Sequence, residues 1–234
     1  MTEKIVYFLR SLFWKTGYDF HKIDNMNFLY SLIYRNYDKN FVFLQIGAND
    51  GVRFDPINFI IKKLGLTGFC VEPIPEYFAE LERNYAGNDK VKCINFAIHS
   101  QTGKINMYRH VRTSDSKSWT NGIASVNPEH YKLNNLESNV IEKVEVDAIT
   151  FEDLFSKMRI QKIDLLVMDT EGYDYELLKM YPFESHKPKI IQFEHGLPNN
   201  FMIFEKYGEL IAMLTSLGYN SISGYFDTIA YLEK

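Results

Sequence analysis

The chain has 234 residues, a formal net charge of −4 and an apolar fraction of 46%. That length suits one α/β core, and the acidic balance with no basic stripe excludes a nucleic-acid partner held by counterion release. Its two cysteines, Cys70 and Cys93, both fall in apolar runs. They form neither a disulfide framework nor a zinc-ligand pattern, so the expected location is a reducing cytoplasm.

Near the N-terminus, Ile5, Phe8, Leu9, Leu12 and Phe13 share one helical face, with Lys4, Arg10 and Lys15 beside it. Such a helix can pack on the domain, on a second subunit in a homodimer, or on a membrane surface as a peripheral contact. Arg10 interrupts the apolar run and no small-residue cleavage site follows, so the segment does not read as a signal peptide. No stretch approaches the roughly 20 apolar residues of a transmembrane span.

Further along, 23–37 reads as an amphipathic helix with Phe28, Leu29, Leu32 and Ile33 inward. A near-continuous apolar strand over 41–46 ends in Gly47-Ala48-Asn49-Asp50-Gly51, and a helix over about 56–64 stops near Gly65. A second strand, 68–72, ends in Glu72-Pro73, and Pro75 opens a helix through 85. A third strand is expected over 91–98. The alternation over 104–110 suits an exposed strand, the polar stretch 111–142 reads as a lid-like substrate insertion, and 143–146 resumes a strand pattern.

The remainder alternates regularly: helix 151–158, strand 163–169, helix 173–181, strand 189–194 and helix 202–217. Strands 219–223 and 228–232 follow as an antiparallel hairpin. The expected fold class is α/β, a doubly wound and mostly parallel sheet with helices on both faces. One domain is expected over 1–234, with a helical extension over 1–38.

The chemistry concentrates where the first strands end. The spacing Gly47-x-x-x-Gly51 lacks the Gly-x-Gly-x-x-Gly that a dinucleotide pyrophosphate needs. Asp50 would repel a pyrophosphate but can receive an ammonium, a group that S-adenosylmethionine carries. Glu72, about 20 residues on, can accept hydrogen bonds from both ribose hydroxyls.

Gln45-Ile46-Gly47-Ala48-Asn49-Asp50-Gly51, Val71-Glu72-Pro73, Asn95-Phe96-Ala97-Ile98 with Gly103, and Met168-Asp169-Thr170-Glu171-Gly172-Tyr173-Asp174 together resemble the FkbM-type methyltransferases. The likeness spans roughly 41–195. It implies a class I, Rossmann-like, seven-stranded fold and S-adenosyl-L-methionine as cofactor. It also implies O-methylation, with a sugar hydroxyl of a nucleotide sugar or bacterial surface-glycan precursor as the favoured acceptor.

By the same resemblance, Gly47, Ala48, Asn49 and Gly51 line the methionine half, Glu72 and Pro73 meet the ribose, and Asn95 and Ala97 flank the adenine. One departure stands out: Gln45 replaces the family's usual acid two residues before the first glycine, and Asp50 can compensate in part.

Asp169, Glu171, Glu194 and His195 are expected to converge on the transferred methyl. His195 can serve as general base assisted by Asp169 or Glu171, or Asp169, Glu194 and His195 can hold Mg²⁺. A histidine that simply ends a strand is the alternative for His195, and His99 and His110 are weaker bases. Trp119, His130 and Tyr131 sit in the insertion, where acceptor contacts are expected. Rival readings are methylation of a polyketide-type or lipid hydroxyl, a nicotinamide-dependent oxidoreductase, and a non-catalytic nucleoside-binding scaffold.

Overall fold

The computed structural model describes residues 25–111, 119–134 and 136–233. The expected N-terminal helix over Ile5 to Phe13 lies outside these residues. Strands β1 (Val42–Ile46), β2 (Thr67–Val71) and β3 (Val91–Ile94) build one half of the main sheet. Among the remaining strands, β8 (Leu165–Met168), β9 (Ile190–Glu194), β10 (Asn220–Ser223) and β11 (Asp227–Tyr231) build the other. The seven strands run in the order β10-β11-β9-β8-β1-β2-β3, all parallel except for β11, which is antiparallel to both β9 and β10. The chain winds outward in opposite directions from β1 and β8, and a crevice opens beyond their carboxyl ends.

The strands are apolar on both faces because helices cover both. Leu29, Leu32 and Ile33 of α1 (Asn25–Asn36) and Ile60 and Ile61 of α2 (Asn58–Leu64) join Phe43, Leu165, Val167 and Ile229 in one core layer. Leu81 of α3 (Pro75–Asn84) completes that side. A four-residue helix, α4 (His130–Leu133), belongs to the insertion. On the far face, Leu44, Leu166 and Ile191 meet Phe151, Leu154 and Phe155 of α5 (Phe151–Met158). Leu177 and Leu178 of α6 (Asp174–Met180) and Leu210 and Leu214 of α7 (Phe204–Ser216) pack there too.

Two features depart from the sequence pattern. The expected third strand breaks after Ile94, and β4 (Ala97–Ile98) leaves the main sheet to pair with β7 (Ile141–Ile149). The cause is Asn95, whose side-chain Nδ2 donates to the carbonyls of Glu72 at 2.8 Å and Pro73 at 3.0 Å, fixing a bend. A second sheet then forms in the order β4-β7-β5-β6, from β5 (Gly103–His110) and β6 (Ala124–Ser125). The described part of the insertion is therefore hydrogen-bonded wall: β6 pairs with β5, and Ser125 and His130 are buried.

Candidate active site

The glycine after β1 is dictated by crowding. Gly47 sits at φ +79°, and a Cβ there would overlap the carbonyl oxygen of Asp169. Its neighbour Ala48 is buried, and both backbone N–H groups donate to Val71 O at 3.0 Å. Asn49 adopts φ +49°, a left-handed conformation that asparagine tolerates better than most residues.

Glu72 closes this cradle. It is 4% exposed, and its carboxylate accepts from Asn49 N at 2.9 Å and Ile74 N at 2.9 Å. The sequence offers no structural task for Glu72, yet here it ties the turn after β1 to the turn after β2. Each oxygen keeps a second lone pair for a ligand hydroxyl.

A cavity of about 230 Å³ opens beside these groups. Gln45, Gly47, Ala48, Asn49, Glu72, Pro73, Ala97, Asp169 and Glu171 all line it. Five other expected residues, Asp50, Gly51, Asn95, Glu194 and His195, do not. Asp50 turns away to pair with Arg53 at 2.5 Å and to accept from the N–H groups of Val52 and Arg53, so its carboxylate is already committed. Gly51 packs against α3, where a Cβ would lie 2.6 Å from Leu81. Asn95 shapes the turn behind the cavity.

His195 is the largest correction. It is 2% exposed and absent from the cavity walls. Its Nδ1 accepts from Leu197 N at 3.2 Å, its ring packs on Tyr207, and its backbone N–H bonds Phe226 O. Burial holds its imidazole below the ordinary value. It therefore neither reaches the cavity nor completes a metal site. Among the described residues no group of three or more His, Cys, Asp or Glu side chains is arranged to hold a metal ion, so no step is derived through Mg²⁺.

Carboxylates do converge. The register Met168↔Phe193 and Glu194↔Asp227 sets Asp169, Glu194 and Asp227 in one row across β8, β9 and β11. Desolvation in the crevice, then the neighbouring acids, raise Asp169 and Glu194 well above the carboxylate range. Asp174 is fully buried, accepts from Thr170 and from Glu194 N, and is pushed by burial up to about 6. Burial likewise lifts Glu72 to about 7 and Asp227 to about 6.

Sequence reasoning missed two groups. Asp55 lines the cavity, accepts from Ile57 N and Asn58 N through Oδ1, and leaves Oδ2 buried without a partner among the described residues. Gln45, which stands in β1 where the family's acid was expected, lines the same cavity wall as Asp55. The signal was an aspartate three residues before a helix start. His130 was grouped with the acceptor contacts only; its Nε2 lies 2.9 Å from Glu171 Oε2, and Phe201 packs on its ring at 4.7 Å.

These shifts fix a pH dependence. An acid whose pKa is higher in the folded than in the unfolded chain binds more protons when folded, so stability falls as pH rises between the two values. For Glu72 that window runs from 4.5 to about 7, and the loss is on the order of 3 kcal/mol once above it. Asp174 and Asp227 add losses between 3.8 and about 6. Melting temperature is expected to fall from pH 5.5 to pH 8. A melting temperature that rises over this range would refute the assignment.

The model of the methyltransferase FkbM domain matches residues 45–221, more than half of the chain. The chain belongs to the FkbM methyltransferase family. The oxidoreductase reading falls with that result. A 2-O-methyltransferase, NoeI of Sinorhizobium fredii, is 25% identical to this FkbM chain over 137 residues, covering 58% of it and 56% of NoeI. The chain thus matches little more than half the length of that relative.

Among solved structures, the METTL16 methyltransferase domain superposes with a TM-score of 0.51 at 8% identity, over 91% of this chain and 68% of that one, a likeness of fold alone. An FkbM methyltransferase from Methylobacillus flagellatus gives a TM-score of 0.49 at 12% identity, over 82% and 43%.

Proposed function

We propose that this FkbM chain is an S-adenosylmethionine-dependent O-methyltransferase acting on a sugar hydroxyl. The observation that carries the reading is Asp169, a carboxylate that lines the 230 Å³ cavity and also a second one behind it. Donor and acceptor can therefore meet across a single proton-accepting group. The printed activity of NoeI, a 2-O-methyltransferase, supports oxygen as the acceptor atom.

The cradle fits the cofactor. Glu72 faces the cavity with lone pairs to spare, and Asn49 Oδ1 is buried without a partner among the described residues. Asp55 and Asp169 supply negative charge for an ammonium and a sulfonium. Arg53 is neutralised by Asp50 and Glu80, which leaves no charge suited to a pyrophosphate. When bound, S-adenosylmethionine supplies an electrophilic methyl carbon on sulfur.

The chain's own residues would do the rest. Asp169 accepts the acceptor's hydroxyl proton as the carbon–oxygen bond forms and the carbon–sulfur bond breaks, leaving S-adenosylhomocysteine. Burial, then the neighbouring Glu171 and Asp174, raise its pKa, which makes its carboxylate a stronger base than an exposed one. Glu171, oriented by His130 and by Ser125 Oγ donating to its carbonyl at 2.9 Å, holds the cavity's other end.

Two measurements test this reading. Calorimetric titration should show binding of S-adenosylhomocysteine and none of NAD, and Glu72→Ala should weaken that binding more than about tenfold, because charge-assisted hydrogen bonds are lost. Mass spectrometry of sugar acceptors incubated with the methyl donor should show a gain of one methyl. Cofactor binding without turnover on any hydroxyl compound would instead favour the scaffold.

A further inference from the structure

A second cavity adjoins the first. It encloses about 360 Å³ between Met26 of α1, the 54–56 turn and the ends of β8, β9 and β11. Asp55 and Asp169 belong to both cavities, so the two adjoin. The ionisable groups that line it among the described residues are Asp55, Asp169 and Asp227, with no lysine or arginine among them.

A separate observation points to a ligand. Gln192 lies in the interior of β9, between Val167 and Ile229, and lines this cavity at 6% exposure. Its Oε1 is buried without a partner among the described residues. A buried carbonyl in that state is costly unless a donor from outside the fold completes it. Gln192 shares its face of the sheet with the Asp169–Glu194–Asp227 row, because residues two apart on a strand point the same way.

We propose that this cavity is the acceptor subsite, and that it takes a polyhydroxylated ring, neutral or amine-bearing, with no phosphate, sulfate or carboxylate on that ring. Among the described residues its polar side chains are the Gln192 amide and the carboxyls of Asp55, Asp169 and Asp227, so hydroxyl and ammonium donors find acceptors there while an anion meets no cation. The assignment rests on the methyltransferase reading. It sharpens that reading by requiring the phosphates of any nucleotide-linked acceptor to remain outside.

The test uses the full chain saturated with S-adenosylhomocysteine, titrated with Bis-Tris as an amine-bearing polyol and with inorganic phosphate. Bis-Tris should bind saturably at millimolar concentration, and Gln192→Leu and Asp227→Asn should each weaken it about tenfold while S-adenosylhomocysteine affinity stays unchanged. Saturable phosphate binding lost in Gln192→Leu, no saturable Bis-Tris binding, or an unaltered Bis-Tris affinity in both variants would overturn the proposal. In the activity arm, neutral and amino methyl glycosides should gain a methyl and their phosphorylated and uronic counterparts should not; methylation of the charged rings would also overturn it. Bis-Tris binding that obeys both variants, with no sugar methylated, would uphold the subsite and discard the sugar O-methyltransferase reading.

Discussion

Asp169→Asn should lower methyl transfer by about a thousandfold while leaving S-adenosylhomocysteine affinity within about threefold, the size expected when a positioned base is lost. The amide keeps the shape of the side chain and its place beside Gly47, so the cradle survives. What disappears is the capacity to take a proton at the junction of the two cavities. Single-turnover rates and cofactor titration on the same preparation separate these effects. Unchanged turnover would move the base to Glu171, whose Glu171→Gln variant would then carry the loss.

Gly47→Ala should be the most damaging change to the fold and the donor site together. The added methyl must occupy the space of the Asp169 carbonyl oxygen, and the backbone sits at φ +79°, where an L-residue is strained. Overlap and strain together should cost about 2–4 kcal/mol, or roughly 6–12 °C in melting temperature for a chain of this size. Cofactor binding should fall below detection, because relief requires β1 and β8 to part at the crevice. A variant that melts like the parent would show that the two strand ends are not clamped as described.

Much of this site was readable before any coordinates. Gly47, Glu72 and Asp169 each follow an apolar run, and in a parallel sheet those runs end side by side. The failures have equally physical causes. Residues 91–98 read as one strand because nothing local interrupts their pattern; the bend comes from Asn95 bonding to carbonyls on the neighbouring turn. Asp50 looked available because its partner, Arg53, contributes only once the loop has folded back on itself.

His195 shows how a period can be ignored. Glu194 ends β9 in the row with Asp169, so the next side chain along an extended backbone points to the opposite face. Applied to the sequence, the same rule selects Gln192, two positions before Glu194, as the residue sharing the acidic face. Asp55 and His130 lie outside any regular repeat, and only the tertiary fold brings them to Gln45 and Glu171.

The two backbone amides held by Glu72 carry a thermodynamic consequence. A receptor whose loops are already latched together by its own carboxylate surrenders little motional freedom when it is filled. Encounter with the nucleoside should then resemble a key entering a finished lock, fast and with a modest heat-capacity change, and departure of the spent half should leave the latch shut for the next turnover.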